Sequence, residues 1–211
     1  MRALSRSFAA RFRDDALLPE VVARAATCPA ERVARAVLEL LEPAPEDAVL
    51  ELGCGSGRTL AAMAARVQRG VVVGVDPSEL MVRHAAARNR RFVDRGRAAV
   101  FAASTADLSR FGDGRFDRVY GTHVVYFWSD PRRDLAEVAR VLRPGGRILL
   151  GFFAGGDAAR VRFPVERAVE LLRAAGFADA APVRSALVDT RLAFVRAHST
   201  PSSDDTQERP S

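Results

Sequence analysis

A glycine-rich turn between two apolar strands is the feature that most narrows the folds open to this chain. The segment Val49–Gly57 reads as a strand that runs into three glycines spaced G-x-G-x-G, and Val72–Asp76 reads as a second strand that ends on a carboxylate. Glycines after a strand let the backbone turn sharply and let a ligand approach the main chain. A carboxylate that closes the next strand can accept both hydrogen bonds of a ribose diol. The pattern predicts a nucleoside-binding cleft.

The glycine spacing and the charge beside it favour one kind of nucleoside. A dinucleotide fingerprint would have its third glycine at Arg58, whereas this chain has it one residue earlier, at Gly57. Glu51 precedes the first glycine, where it would repel a pyrophosphate and attract a cation. S-adenosylmethionine has a ribose, no phosphate, an ammonium and a sulfonium. The residues therefore favour S-adenosylmethionine over a nicotinamide dinucleotide.

Strands and helices are predicted to alternate along the body of the chain. Apolar periodicity predicts strands at 48–52, 71–75, 98–102, 116–121, 147–153, 180–185 and 192–195, with helices at about 56–69, 77–91, 131–143 and 164–175. Such alternation favours a parallel sheet, and the last two strands fit an antiparallel hairpin at its edge. We expect a Rossmann-like, doubly wound α/β fold with a mostly parallel seven-stranded sheet and an antiparallel C-terminal hairpin.

The chain divides into three regions by composition. Residues 1–44 form a helical N-terminal extension, in which apolar residues recur at helical spacing between positions 33 and 41. Residues 45–197 carry the strand–helix alternation and form the predicted ligand-binding domain. Residues 198–211 are polar and are predicted to form a disordered tail.

Charge and cysteine content argue against several functional classes. The net charge is +6, but all 32 basic residues are arginine, which does not titrate, so we attribute the basic balance to codon bias and expect no nucleic-acid partner. No run of about 18 apolar residues predicts a membrane span, and the N-terminus lacks the apolar core of a secretory signal, so a cytoplasmic location is expected. The two cysteines and three histidines have no metal-ligand spacing, and no metal is expected.

Four ordered segments carry a family resemblance. They are ELGCGSGRT, VVVGVDPSELMVRHA, FDRVYGTHVVYFW and DLAEVARVLRPGGRILLGF, and together they span about half of the chain. In order and spacing they resemble the class I S-adenosylmethionine-dependent methyltransferases, especially the small-molecule group that includes quinone-biosynthesis enzymes. The resemblance implies S-adenosylmethionine as cofactor, S-adenosylhomocysteine as product, and in-line transfer of a methyl group to O, N or C of a small molecule.

The resemblance and the residue chemistry together give a set of candidate cofactor contacts. Asp76 is expected to hold the ribose hydroxyls, Glu51 to tune the local charge for the cationic ligand or to orient its ammonium, and Met81 to pack on adenine. The other candidates are Gly53, Cys54, Gly55, Gly57, Pro77, Ser78, Ser104, Thr105 and His123. For Cys54 we favour a small packing residue over a nucleophile.

Two candidate positions depart from the family pattern. The family commonly has an acid that binds the adenine amine where this chain has Ser104, and the loss of charge would weaken adenine recognition by about 1 kcal/mol. His123 stands where the family often has asparagine. We interpret His123 as a general base with a pKa suited to neutral pH, or as a group that orients the acceptor. The alternative is a neutral histidine that bonds to loop backbone.

The acceptor and the oligomeric state are left open by the sequence. Tyr126 and Trp128 either line an acceptor pocket or pack beneath the next helix, and the N-terminal helices are expected to cover the acceptor. We expect a small-molecule partner and a monomer or homodimer. Two other functions remain: a protein that binds S-adenosylmethionine without transferring its methyl group, and an RNA or protein methyltransferase.

Overall fold

A seven-stranded sheet with helices on both faces is formed by the residues that the computed structural model describes, 29–154, 163–189 and 191–200. The strands are β1 (Ala48–Leu52), β2 (Val71–Asp76), β3 (Ala98–Ala102), β4 (Phe116–Thr122), β5 (Leu142–Phe153), β6 (Phe177–Val183) and β7 (Leu192–Ser199). The helices are α1 (Ala30–Leu41), α2 (Arg58–Arg66), α3 (Glu79–Arg88), α4 (Arg90–Val93), α5 (Pro131–Val141) and α6 (Val165–Ala174). A single 3-10 turn, Val125–Phe127, lies between β4 and α5.

The strand order across the sheet is β3-β2-β1-β4-β5-β7-β6. Strands β1 to β5 run parallel to one another, and β7 runs antiparallel to both β5 and β6. The predicted mostly parallel seven-stranded sheet with an antiparallel C-terminal hairpin is therefore confirmed. The chain leaves β1 toward β2 and β3 on one side and returns to β4 on the other. Ligands of such sheets bind outside the carboxyl ends of the strands at this reversal.

Two layers of helices bury the two faces of the sheet. On one face α1 and α2 pack with the buried residues of α3 and α4, Ala85 and Phe92. Helix α1 buries Val33, Val37 and Leu40, which recur along one helical stripe. On the other face α5 and α6 pack, and α5 buries Leu135 and Val138 in the same way. These apolar stripes fix the helices against the sheet, and they leave its carboxyl edge for the loops that form the candidate site.

Local irregularities move several element ends from their predicted positions. Strand β5 begins at Leu142 rather than Arg147, because Leu142 pairs with Phe116 before a shift in register that the Pro144–Gly146 segment absorbs. The predicted helix 77–91 is divided at Asn89, whose side-chain amide donates to Ala85 O at 2.8 Å. These features depend on partners that are distant in sequence or on a single side chain, so apolar periodicity does not reveal them.

The C-terminal hairpin is also longer than predicted. Strand β6 begins at Phe177 rather than 180, because Asp179 has a positive φ of 55° and shifts the register, which interrupts the two-residue alternation. Strand β7 continues to Ser199, two residues into the predicted tail. Residues 1–28 and 201–211 lie outside the described part of the chain, so the N-terminal cap and the disordered tail stay predictions, as do the oligomeric state and the cytoplasmic location.

Neither a membrane span nor a metal cluster is found in the part of the chain that the structure describes. None of its helices is long and apolar enough to cross a bilayer. The described residues also contain no group of three or more histidine, cysteine, aspartate or glutamate side chains that could hold a metal ion.

Candidate functional site

The candidate residues converge where the chain reverses direction across the sheet. The last residue of β1, Leu52, pairs with Val75 of β2 on one side and with Gly121 of β4 on the other. The glycine loop 53–57 follows β1 directly, and Asp76 ends β2. The carboxyl ends of β1, β2 and β4 thus meet at one edge, as the sequence predicts.

The three glycines of the loop all have positive φ angles, but they differ in how much space surrounds them. A Cβ on Gly53 would lie 2.4 Å from Cγ1 of Val124, and one on Gly57 would lie 2.5 Å from Nδ2 of Asn89 and 2.9 Å from Cβ of Ala85. A Cβ on Gly55 would meet no atom of the described residues within 4 Å. The outer two glycines are therefore required by packing, whereas Gly55 presents bare main chain to open space.

Asp76 ties the end of β2 to this open part of the loop. Its Oδ2 accepts a hydrogen bond from the N–H of Gly55 at 2.9 Å, and its Oδ1 accepts one from the N–H of Ser78 at 2.9 Å. Pro77, which lies between Asp76 and Ser78, has no N–H group and so donates no third hydrogen bond. Burial raises the pKa of Asp76, and the two N–H donors lower it in part. A carboxylate has about four acceptor positions, so two remain for a ligand beside Gly55.

Glu51 is a buried carboxyl group beneath the same loop. The residue is 3% exposed, and its carboxyl group interacts with the hydroxyl of Tyr120 on β4, although Oε2 and this hydroxyl form no hydrogen bond of ordinary geometry among the described residues. Burial raises the pKa of Glu51 to about 8; the Tyr120 hydroxyl offsets part of this, and the charge of Asp76 adds to it. An unpaired acceptor in this place fits a cationic ligand, since a nearby ammonium would stabilise the ionised carboxylate.

The raised pKa of Glu51 predicts a stability that falls with rising pH. Because the folded protein holds this proton to about pH 8 and the unfolded chain releases it near the ordinary value of 4.5, the folded state binds more protons between these values. The contribution of Glu51 to the free energy of unfolding of the ligand-free protein should then fall by up to about 1.4 kcal/mol per pH unit in that range. Glu51→Gln should reduce this slope, measured by urea unfolding at pH 5 to 8.

The matched control for this measurement is Glu31→Gln, which changes an exposed carboxylate in the first turn of α1. It should leave the slope as in the parent protein. A Glu51→Gln protein whose stability falls with pH as steeply as the parent would show that Glu51 is already ionised at neutral pH.

Cys54 and Asn89 support the loop from below. A Cβ on Gly74 of β2 would come within 3.0 Å of both Cβ and Sγ of Cys54, so the glycine makes room for the cysteine. Burial raises the pKa of the Cys54 thiol, which suits a packing residue. Asn89, fully buried, donates to Gly57 O at 3.0 Å. Sequence reasoning missed Asn89; its one signal was that it is the sole asparagine of the chain.

The residues expected near adenine lie at the ends of β2 and β3. Ser78 caps α3, and its Oγ accepts from the N–H of Met81 at 3.4 Å. Ser104 and Thr105 are half-buried, and Ser104 Oγ accepts from the N–H of Ala106 at 3.1 Å. The hydroxyl of Ser104 thus already has a backbone partner.

Two observations bear on the departure from the family pattern at Ser104. Asp107, the nearest acid along the chain, is exposed, and its Oδ1 accepts from the Oγ of Ser109 at 2.7 Å. Ser109 lowers the pKa of Asp107. Asp107 is therefore ionised and engaged at the surface, and it does not replace the acid that Ser104 lacks.

His123 follows β4 in a left-handed conformation, with a φ of 61°. Its N–H donates to Gly151 O at 2.7 Å, and its ring lies 4.4 Å from the ring of Phe153. Burial lowers the pKa of His123 to about 4, and its Nδ1 has no partner among the described residues. The expectation of a pKa suited to neutral pH is therefore wrong, because the ring is shielded by aromatic neighbours. His123 is neutral at pH 7.

The aromatic pair after β4 is half-buried. The hydroxyl of Tyr126 accepts a hydrogen bond from the N–H of Phe153, so it fixes the end of β5. Trp128 packs against the core on the α5 side, and its buried Nε1 has no partner in the described ranges. The structure thus places Trp128 against the core beside α5, and it places Tyr126 against both His123 and the end of β5.

Comparisons with known proteins find one matching family model and several similar sequences. A family model described as a methyltransferase domain matches residues 50–150. The Nocamycin O-methyltransferase of Saccharothrix syringae is 39% identical over 117 residues, which are 55% of this chain and 41% of that protein. The chain spans about two fifths of the length of several curated relatives that it matches.

Solved structures share the fold at low sequence identity. A structure of a S-adenosylmethionine-dependent methyltransferase from Aquifex aeolicus matches with a TM-score of 0.66 and 18% identity, over 93% of this chain and 98% of that one. The structure of the cyclase SpnF matches with a TM-score of 0.67 and 20% identity, over 81% and 82% of the two chains. At such identities the matches show the fold alone.

Proposed function

We propose that this chain, in which residues 50–150 match a methyltransferase-domain family model, is a class I S-adenosylmethionine-dependent methyltransferase that transfers a methyl group to O, N or C of a small molecule. One observation carries the proposal: the open main chain at Gly55 lies beside the carboxylate of Asp76. A nucleoside with an amino-acid tail needs both, because its sugar requires an acceptor and its tail requires close approach to the backbone.

The residues of the site fit S-adenosylmethionine. In this proposal Asp76 holds the ribose diol with its two remaining acceptor positions, and the open backbone at Gly55 receives the methionine portion. The ammonium, once bound, would lower the raised pKa of Glu51, so that an ionised carboxylate lies beneath the loop. Met81, Ser104 and Thr105 border adenine at the ends of the neighbouring strands. The matched charges support this cofactor over one with a pyrophosphate.

Transfer requires little covalent chemistry from the protein. When bound, S-adenosylmethionine supplies an electrophilic methyl group, and an electron pair of the acceptor forms the new bond as the carbon–sulfur bond breaks to leave S-adenosylhomocysteine. The residues of this chain have to hold the acceptor in line with that bond and keep water out. His123, which is neutral and packed on Phe153, can orient an acceptor by accepting a hydrogen bond at Nδ1.

Calorimetry with S-adenosylmethionine and S-adenosylhomocysteine tests the cofactor, and a screen for S-adenosylhomocysteine release over phenols, amines, carboxylic acids and activated carbon acids tests the transfer. We expect binding of both ligands and turnover on at least one acceptor class. An absence of binding to either ligand would overturn the proposal.

The second candidate function is a protein of this fold that does not transfer methyl groups. Its support is Ser104, which lacks the charge of the usual acid and already accepts from Ala106. The cyclase SpnF, which shares the fold, shows that the scaffold also serves another activity. Tight binding of both ligands without turnover on any acceptor would favour this function.

RNA or protein methylation would instead require binding of RNA or protein. For RNA, this binding would weaken steeply as the salt concentration rises.

A protonation experiment tests the proposed role of His123. Because burial holds its pKa at about 4, its imidazole should stay neutral, and its ring-proton chemical shifts should stay constant between pH 5.5 and 8. Nuclear magnetic resonance gives this directly, and His123→Asn assigns the signal, since asparagine tolerates a positive φ. A titration with a midpoint between about pH 6 and 7 would restore the general-base interpretation.

A further inference from the structure

A cavity of about 160 Å³ lies at the carboxyl end of β5, between the start of α1 and the segment that precedes β7. The proposed function leaves open where the acceptor binds and what it is. Resting on that function, we propose that this cavity holds the ring of a small aromatic carboxylate and that Arg32 pairs with its carboxylate group. Three observations support this: the position of the cavity, its walls and its charge.

The cavity is one side chain away from the edge where the cofactor is proposed to bind. Phe153, the last residue of β5, forms one wall, and its ring lies 4.4 Å from the ring of His123. His123 directly follows β4, whose residue Gly121 pairs with Leu52 at the start of the glycine loop. The ring of Phe153 therefore lies between the cavity and the end of β4. An acceptor bound in the cavity would extend past His123 to reach the transfer site.

The walls and the size of the cavity suit one aromatic ring. Phe153, Leu187, Val188 and Leu192 form its apolar side, and Arg32, Asp189 and Arg191 form its polar side. A cavity of roughly 150 Å³ has the volume for one benzene ring. Phe153 and Leu192 are paired across β5 and β7, so the two sides of the cavity are held together by the sheet.

The charge of the cavity is positive. Asp189 and Arg191 form an ion pair, with Nη2 of Arg191 2.8 Å from Oδ2 of Asp189, so their charges offset each other. Arg32 also lines the cavity, and its guanidinium has no ion pair or hydrogen bond among the described residues. An arginine fork matches the two oxygens of a carboxylate, so the unpaired charge at an apolar pocket selects a ring that bears this group.

The test measures binding of 4-fluorobenzoate and of its neutral isostere 4-fluorobenzamide by fluorine magnetic resonance, with S-adenosylhomocysteine affinity measured on the same protein. We expect 4-fluorobenzoate to bind more tightly than the amide. Arg32→Gln should weaken the binding of 4-fluorobenzoate by about 10-fold or more and leave the affinity for 4-fluorobenzamide unchanged. Arg35→Gln is the matched control, because it removes the same charge from an exposed arginine one turn along α1, outside this cavity; it should change neither affinity. Val188→Phe fills the cavity and should weaken the binding of both probes.

The outcomes separate this inference from the proposed function. Equal binding of the two probes, no binding of either, or 4-fluorobenzoate binding unaffected by Arg32→Gln would overturn the inference, even if S-adenosylhomocysteine binds. The inference is supported if Arg32→Gln loses affinity for 4-fluorobenzoate while its unfolding temperature stays as in the parent protein. A protein that fails to bind S-adenosylhomocysteine but shows the Arg32-dependent preference would overturn the proposed function and leave the carboxylate site standing.

Discussion

Asp76→Ala should lower the affinity for S-adenosylhomocysteine by about 100-fold or more, because the ribose diol would lose two charge-assisted hydrogen bonds. The same change leaves the N–H groups of Gly55 and Ser78 without their acceptor, so the loop that should meet the ligand is no longer held in place. Calorimetry gives the affinity. Thermal unfolding of the same samples shows how much of the effect is loss of fold, which should be a few degrees.

Asp94→Ala is the control for this experiment. Asp94 is an exposed carboxylate after α4, and its surface ion pair with Arg90, at 3.5 Å, is of a kind that contributes little to stability. We expect no change in affinity from it. If Asp76→Ala bound S-adenosylhomocysteine as tightly as the parent protein, the assignment of the cofactor site would have to be abandoned.

Gly57→Ala should mainly reduce stability, whereas Gly55→Ala should mainly reduce the affinity for the ligand. At Gly57 the added methyl group would overlap Asn89 Nδ2 and Ala85 Cβ, and the φ of 74° adds strain. We expect a loss of about 2–4 kcal/mol in stability, which is roughly 5–15 °C in unfolding temperature for a chain of this size.

At Gly55 the added methyl group meets no protein atom within 4 Å, so only the strain of the positive φ, about 1 kcal/mol, should reduce stability. The methyl group would instead project into the space proposed for the ligand and lower its affinity by about 10-fold or more. Differential scanning calorimetry and ligand titration on both variants separate the effects. A Gly55→Ala protein with parental affinity would show that the ligand approaches from another side.

Much of the fold could be predicted from local patterns. Strands β1 and β3 have the predicted bounds, and β2 and β4 each extend one residue further, because each is an apolar run between clear turn signals. Their carboxyl ends meet, as expected for parallel strands, and so Glu51, Gly55 and Asp76 come together. The start of β5 and the bulge at Asp179 could not be predicted, since both depend on pairing with residues distant in sequence.

The sequence by itself determined the order of the elements and the edge of the sheet that carries the candidate site, because these follow from short-range spacing of glycine, apolar and acidic residues. Only the tertiary structure decided the state of the groups there. His123 is neutral because Phe153 and its neighbours exclude water, and Glu51 keeps a proton because it is buried beneath the loop. Burial is a sum over residues from the whole chain, and no local pattern encodes it.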